Sequence, residues 1–196
     1  MKYFIVGLHG SGKHEVADIL EQQGVSCGRL FSNIEEPSSD IYNVDKYDIY
    51  TTKDINDIFE NEAYLFMKEI KQGIFKYYEG LSTYSLDSNQ AFVLSPDQLV
   101  SIPSTFMPED VCFIWMDNTK SNRFKRFKEE NRKYNFNDRE HIEYNDIDSF
   151  IKILYGNRDN KVLYFMNEDP VHIAAIIFSM IQHEDLIPIY SQAFAS

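Results

Sequence analysis

The chain has 196 residues, of which 43% are hydrophobic and 15% aromatic, and its formal net charge is −12. That length suits one α/β domain with a sizeable core, and the composition excludes a disordered chain. The acidic balance excludes a general nucleic-acid-binding surface, which needs a basic footprint, but it allows a small anionic ligand wherever basic residues gather locally.

The first element is the short, mostly apolar run Lys2-Tyr3-Phe4-Ile5-Val6, which reads as a strand. Gly7-Leu8-His9-Gly10-Ser11-Gly12-Lys13-His14 follows at once. An amphipathic helix comes next, with Val16, Ile19 and Leu20 on its apolar face and Gly24 as its stop. A strand, a glycine-rich loop and a helix form the context in which G-x-x-x-x-G-K points to phosphate binding. Glycines let the backbone turn and approach an anion closely. Successive N–H groups at the helix start then cradle it, and Lys13 adds a mobile positive charge. The last position of the motif, where a Ser or Thr hydroxyl would reach Mg²⁺, is His14. An imidazole suits that oxygen-seeking ion poorly.

Residues 25–39 read as a polar loop in which Arg29 is the only basic residue, and Tyr47 to Thr52 as a short strand. The spacing of Leu65, Phe66, Met67 and Ile70 predicts a helix over 52–72, closed by Gly73. Two short strands, Ile74 to Tyr78 and Tyr84 to Leu86, are expected around a turn at Glu79-Gly80-Leu81-Ser82. Ala91-Phe92-Val93-Leu94 and Val111-Cys112-Phe113-Ile114-Trp115-Met116 are apolar runs without polar alternation, which suits a parallel sheet covered on both faces. Asn118 to Lys133 is predicted as the most basic helix, with Phe124 and Phe127 inward and Arg123, Lys125, Arg126, Lys128 and Arg132 outward. That face either meets a ligand or is simply solvated. A helix over 138–155 carries Arg139. Val162-Leu163-Tyr164-Phe165-Met166 is the last buried strand, and Pro170 opens a terminal apolar helix.

Cys27 and Cys112 lie too far apart for a metal motif, and Cys112 reads as core. The chain opens without a signal-like segment, its glycine-rich loop begins almost at Met1, and no apolar run reaches membrane-spanning length. The expectation is a soluble, cytoplasmic protein.

In the order of its elements the chain resembles the guanylate-kinase-like branch of the P-loop nucleoside monophosphate kinases. Gly10-Ser11-Gly12-Lys13 is similar to the family's phosphate loop, and Val93-Leu94-Ser95-Pro96-Asp97-Gln98 to the strand end whose acidic residue faces the acceptor. The resemblance implies a P-loop three-layer α/β/α fold with a mostly parallel sheet and a small nucleotide-monophosphate-binding insertion. The core falls at about 1–27 and 90–196, the insertion at about 28–89 and a lid at about 123–140. It implies ATP as donor, with Mg²⁺ arriving on the nucleotide, and a nucleoside monophosphate as acceptor. Gly7, His9, Gly10, Ser11, Gly12, Lys13, His14 and Asn167 would then hold the nucleotide. Lys13, Arg126, Arg132 and Arg139 would carry catalysis, and Arg29, Tyr84 and Asp97 would receive the acceptor.

The acceptor region has one arginine where the family has two. Glu79 is the nearest acid to the place of the glutamate that reads guanine. Phosphotransfer to a nucleoside monophosphate is therefore weighed against nucleotide binding without transfer, and against a P-loop enzyme with another acceptor or a hydrolase.

Overall fold

The computed structural model describes residues 1–33, 47–49, 52–61, 64–72, 75–129, 136–156 and 160–183. β1 (Lys2–Gly7) is central, flanked by β7 (Ala91–Leu94) and β8 (Val111–Asp117). β2 (Cys27–Gly28) lies outside β7, and β9 (Lys161–Met166) outside β8. Every pairing in this sheet is parallel. The apolar runs lack polar alternation because both faces are covered. Tyr3 and Ile5 point to one face, against α1 (Lys13–Gln22) and α8 (Pro170–Gln182), where Val16, Leu20, Ile173, Ala174 and Ile177 are buried with them. Phe4 and Val6 point to the other face, against Leu99, Phe150 and Leu154. Leu99 belongs to the short helix α4 (Pro96–Val100), and the other two to α7 (Ile147–Gly156). The result is a mostly parallel α/β sheet with helices on both sides.

A second sheet has the order β4 (Tyr47–Ile49), β3 (Leu30–Ser32), β6 (Phe75–Ser82), β5 (Tyr64–Gln72). The β5–β6 and β3–β6 pairs are antiparallel, and β3–β4 is parallel. Leu30, Leu65, Phe66 and Leu81 from this sheet join Phe4, Phe92 and Leu94 in one apolar cluster, so the two sheets share a core.

Several local expectations are corrected. The helix over 52–72 is instead α2 (Thr52–Glu60) followed by strand β5. A short apolar run fits either period, and here pairing with β6 decides in favour of the strand. Residues 79–82 continue β6 rather than turning, and Gly73 lies outside the described residues. Tyr84 to Leu86 lie in α3 (Thr83–Ser88), because Ser82 Oγ accepts a hydrogen bond from the Ser85 N–H and caps a helix there. The loop expected over 25–39 contains β2 and β3 in its described part. The basic helix is α5 (Lys120–Glu129), and the helix expected over 138–155 is two: α6 (Phe136–Asn145) and α7. Among the described residues no helix is long and apolar enough to cross a membrane. Both cysteines are free thiols, and burial pushes each up to about 12, so they stay protonated at neutral pH.

Candidate functional site

Because the central strands are parallel, their carboxyl ends share one edge. Val6 pairs with Leu94, and Gly7 with Met116. The chain departs from β1 toward β7 on one side and β8 on the other, and such a reversal of strand order opens a crevice at that edge. The Gly7–Lys13 loop lies there. Gly10 and Gly12 have φ of +76° and +91°, values that side-chain-bearing residues rarely adopt. At Gly10 a Cβ would also sit 2.5 Å from the carbonyl oxygen of Arg123. Gly12 is the N-cap of α1, so the loop brings the amino end of that helix to the crevice. Lys13 is buried and folds back, its Nζ 3.4 Å from the Leu8 carbonyl oxygen. Ser11 is fully buried, and its N–H donates to the Leu8 carbonyl at 3.0 Å.

The loop is braced from the elements after β8. Asn118 Nδ2 donates to the Ser11 carbonyl at 2.8 Å. Arg123, only 1% exposed, donates from Nε to the Asn118 carbonyl at 3.1 Å and from Nη1 to the His9 carbonyl at 3.4 Å. Its Nη2 donates to Glu140 Oε1 at 2.5 Å. Lys120 also pairs with Glu140. Burial alone would push the Glu140 carboxyl up, but hydrogen bonds from Lys120 and Arg123 outweigh it and hold the group below its ordinary value. Glu143, one turn further along α6 and 1% exposed, accepts a hydrogen bond from the His9 N–H at 2.6 Å. The His9 ring lies edge-on to Phe127 at 5.5 Å, with Phe136 at 5.9 Å, so its side chain belongs to the aromatic contact joining α5 and α6.

Arg126 reaches the same place from α5. Its Nη1 lies 2.6 Å from Glu15 Oε2 in the first turn of α1, and a Cβ on Gly12 would fall 3.0 Å from that nitrogen. Arg132 lies outside the described residues, and of Arg139 only the helical backbone of α6 is described. Asn167, at a φ of +56° just after β9, accepts hydrogen bonds on Oδ1 from the Thr119 N–H at 2.9 Å and from Asn122 Nδ2 at 3.2 Å. It thereby ties the end of β9 to the start of α5.

The residues read for an acceptor are not all gathered. Asp97, 1% exposed at the start of α4, takes Lys68 Nζ at 3.1 Å and the Ser95 hydroxyl at 2.5 Å. Nearby, Gln98 Nε2 donates to the buried Glu79 Oε1 at 3.1 Å. Tyr84 is 78% exposed on α3. Arg29 pairs with Glu21 at 3.8 Å, at the end of α1 that lies about 12 Å from the loop by helical rise.

Reading the sequence did not pick out Asn118, Glu140 and Glu143, and it assigned Arg123 to an outward face. The only local signal for Arg123 was its i, i+4 spacing to the inward Phe127. At position 14 the loop offers Mg²⁺ an imidazole in place of a hydroxyl, a poorer partner for that ion.

No protein-family model matches the chain, and no curated protein matches it. Solved structures do. Guanylate kinase from Anaplasma phagocytophilum is 14% identical, with 94% of this chain and 85% of that one covered at a TM-score of 0.56. Deoxyadenosine kinase from M. mycoides with bound dATP is 15% identical, with 93% and 100% covered at a TM-score of 0.49. The likeness to the guanylate kinase shows a shared fold, a mostly parallel α/β sheet flanked by helices.

Proposed function

We propose that the chain binds the phosphates of a nucleotide at Gly7–Lys13 and transfers the terminal phosphoryl group of ATP to a small acceptor, a nucleoside monophosphate. The observation that carries this reading is the loop itself. Two positive-φ glycines, a folded-back lysine and the amino end of α1 converge where the strand order reverses. Phosphoryl transfer asks little covalent chemistry of a protein. Positioning and neutralisation of charge supply most of the acceleration. In this reading the loop N–H groups and Lys13 hold the donor phosphates. Arg126 is placed to meet charge on the group in transfer, and the planar guanidinium suits that task. The acceptor lies beside the loop, over the Asp97–Lys68 pair that follows β7. Arg132 and Arg139 complete a lid, and Asn167 borders the donor base. Mg²⁺ enters only as the counter-ion carried by the nucleotide.

A second reading is nucleotide binding without transfer. It is favoured by His14 in the place of a hydroxyl, by Glu15 already holding Arg126, and by Asp97 already committed to Lys68 and Ser95. The experiment that divides the two is a panel of nucleoside monophosphates incubated with ATP and Mg²⁺ and read by ADP release. Release that depends on one acceptor supports transfer. ATP binding without release on any acceptor supports the second reading.

A further inference from the structure

Helix α6 presents two glutamates on one face, Glu140 and Glu143, three residues apart and both buried. Glu140 has cationic partners, Arg123 and Lys120. Glu143 is turned to the phosphate loop, where its Oε2 takes the His9 N–H at 2.6 Å. The carbonyl of the same residue accepts from Arg123 Nη1. One residue of the loop is therefore gripped through both of its backbone polar groups by the α5–α6 unit, and the group on its N–H is an anion. Burying a carboxylate is costly unless its surroundings favour negative charge, and a loop of converging N–H groups beside a helix amino end supplies such a field.

We propose that Glu143 is a built-in substitute for phosphate, a plug that α6 holds in the loop and that an incoming polyphosphate must displace. The inference rests on reading Gly7–Lys13 as a phosphate site. A nucleotide phosphate brought into the loop would meet a buried like charge 2.6 Å from one of its N–H donors. Binding therefore requires Glu143 to leave, and the apparent affinity is lowered by the fraction of molecules in which it has left. Glu15 does the same on a smaller scale to Arg126, since its carboxylate occupies a guanidinium that a phosphate would otherwise take. The alternative role for Glu143 is a brace that holds the loop in its binding shape. The two roles give opposite signs.

The test is Glu143→Gln, which removes the charge but keeps the size and an oxygen able to accept from His9. The probes are inorganic tripolyphosphate and ATP, titrated by calorimetry against parent and variant. A plug predicts tripolyphosphate affinity rising about tenfold or more in the variant, the range of one charge-assisted contact, with ATP following. Affinity unchanged or weakened in a folded variant overturns the plug, even where the parent binds ATP. Tighter tripolyphosphate binding without ATP binding in either protein supports the plug and counts against the nucleotide reading. No binding of either anion by either protein overturns both. Should the variant fail to fold, hydrogen exchange of residues 136–145 in the parent decides. Exchange that quickens on adding tripolyphosphate supports displacement of α6, and exchange that slows or stays the same overturns it.

Discussion

Arg126 Nη1 and Glu15 Oε2 lie 2.6 Å apart across the amino end of α1, so a guanidinium from α5 covers the first turn of the helix that begins at the glycine-rich loop. The pair is partly exposed, and such pairs contribute about 0–1 kcal/mol. Breaking it to let Arg126 meet a phosphate is therefore inexpensive. Arg126→Ala is expected to lower kcat about a hundredfold while changing ATP affinity by less than about fivefold. That split marks a contact made mainly in the transition state. Equal losses in kcat and in ATP affinity would instead make Arg126 a ground-state binding residue.

Gly10→Ala tests the loop's backbone. The new Cβ would impose a left-handed conformation on an alanine and meet the Arg123 carbonyl oxygen at 2.5 Å. A loss of about 2–3 kcal/mol in unfolding free energy is expected, measured by urea denaturation. A variant as stable as the parent would mean that the loop is free to take another shape.

Arg123 and Glu140 give a prediction for acid. The Glu140 carboxyl is lowered in the folded chain, so it contributes stability that is complete above its unfolded value of 4.5. That stability is lost as the pH falls through the lower folded value. Arg123→Met removes one of the two cations, leaves Lys120, and takes a hydrogen bond away from each of the Asn118 and His9 carbonyls. The expected cost at neutral pH is about 3 kcal/mol, a fall in Tm of about 6–12 °C. As the pH falls below 4.5 the variant should lose stability less steeply than the parent. Parallel pH profiles for the two proteins would contradict the assignment.

His14→Ser restores a hydroxyl beside Lys13. If the chain transfers phosphate, the variant is expected to keep or exceed the parent's rate of ADP release in Mg²⁺, because an oxygen ligand suits that ion better than an imidazole. A fall in rate with ATP affinity unchanged would give the imidazole a role of its own.

What could be read from the residues was whatever short-range patterning determines. The runs ending at Val6, Leu94, Met116 and Met166 are apolar on both faces, and only a sheet covered on both sides uses such strands, so the parallel sheet was legible. The loop was legible too, since its glycines and lysine are contiguous. Residues 64–70 were misread because a short apolar run fits both periods until a partner strand selects one. Arg123 was placed on an outward face, ligand-meeting or solvated, for a related reason, whereas it is buried. Its charge is local, whereas its partners His9 and Glu140 lie 114 and 17 residues away. The brace formed by Asn118 and Arg123, and the contact of Glu143 with His9, exist only through such distant contacts. No spacing in the chain announces them.

The central claim is that Gly7–Lys13 holds nucleotide phosphate, and the measurement that tests it most directly is ATP binding to the parent and to Lys13→Ala by titration calorimetry. A charge-assisted phosphate contact contributes about 1.5–3 kcal/mol, so the parent should bind ATP and the variant should bind it about ten- to a hundredfold more weakly. A parent that does not bind ATP, or a variant that binds it equally well, would contradict the claim.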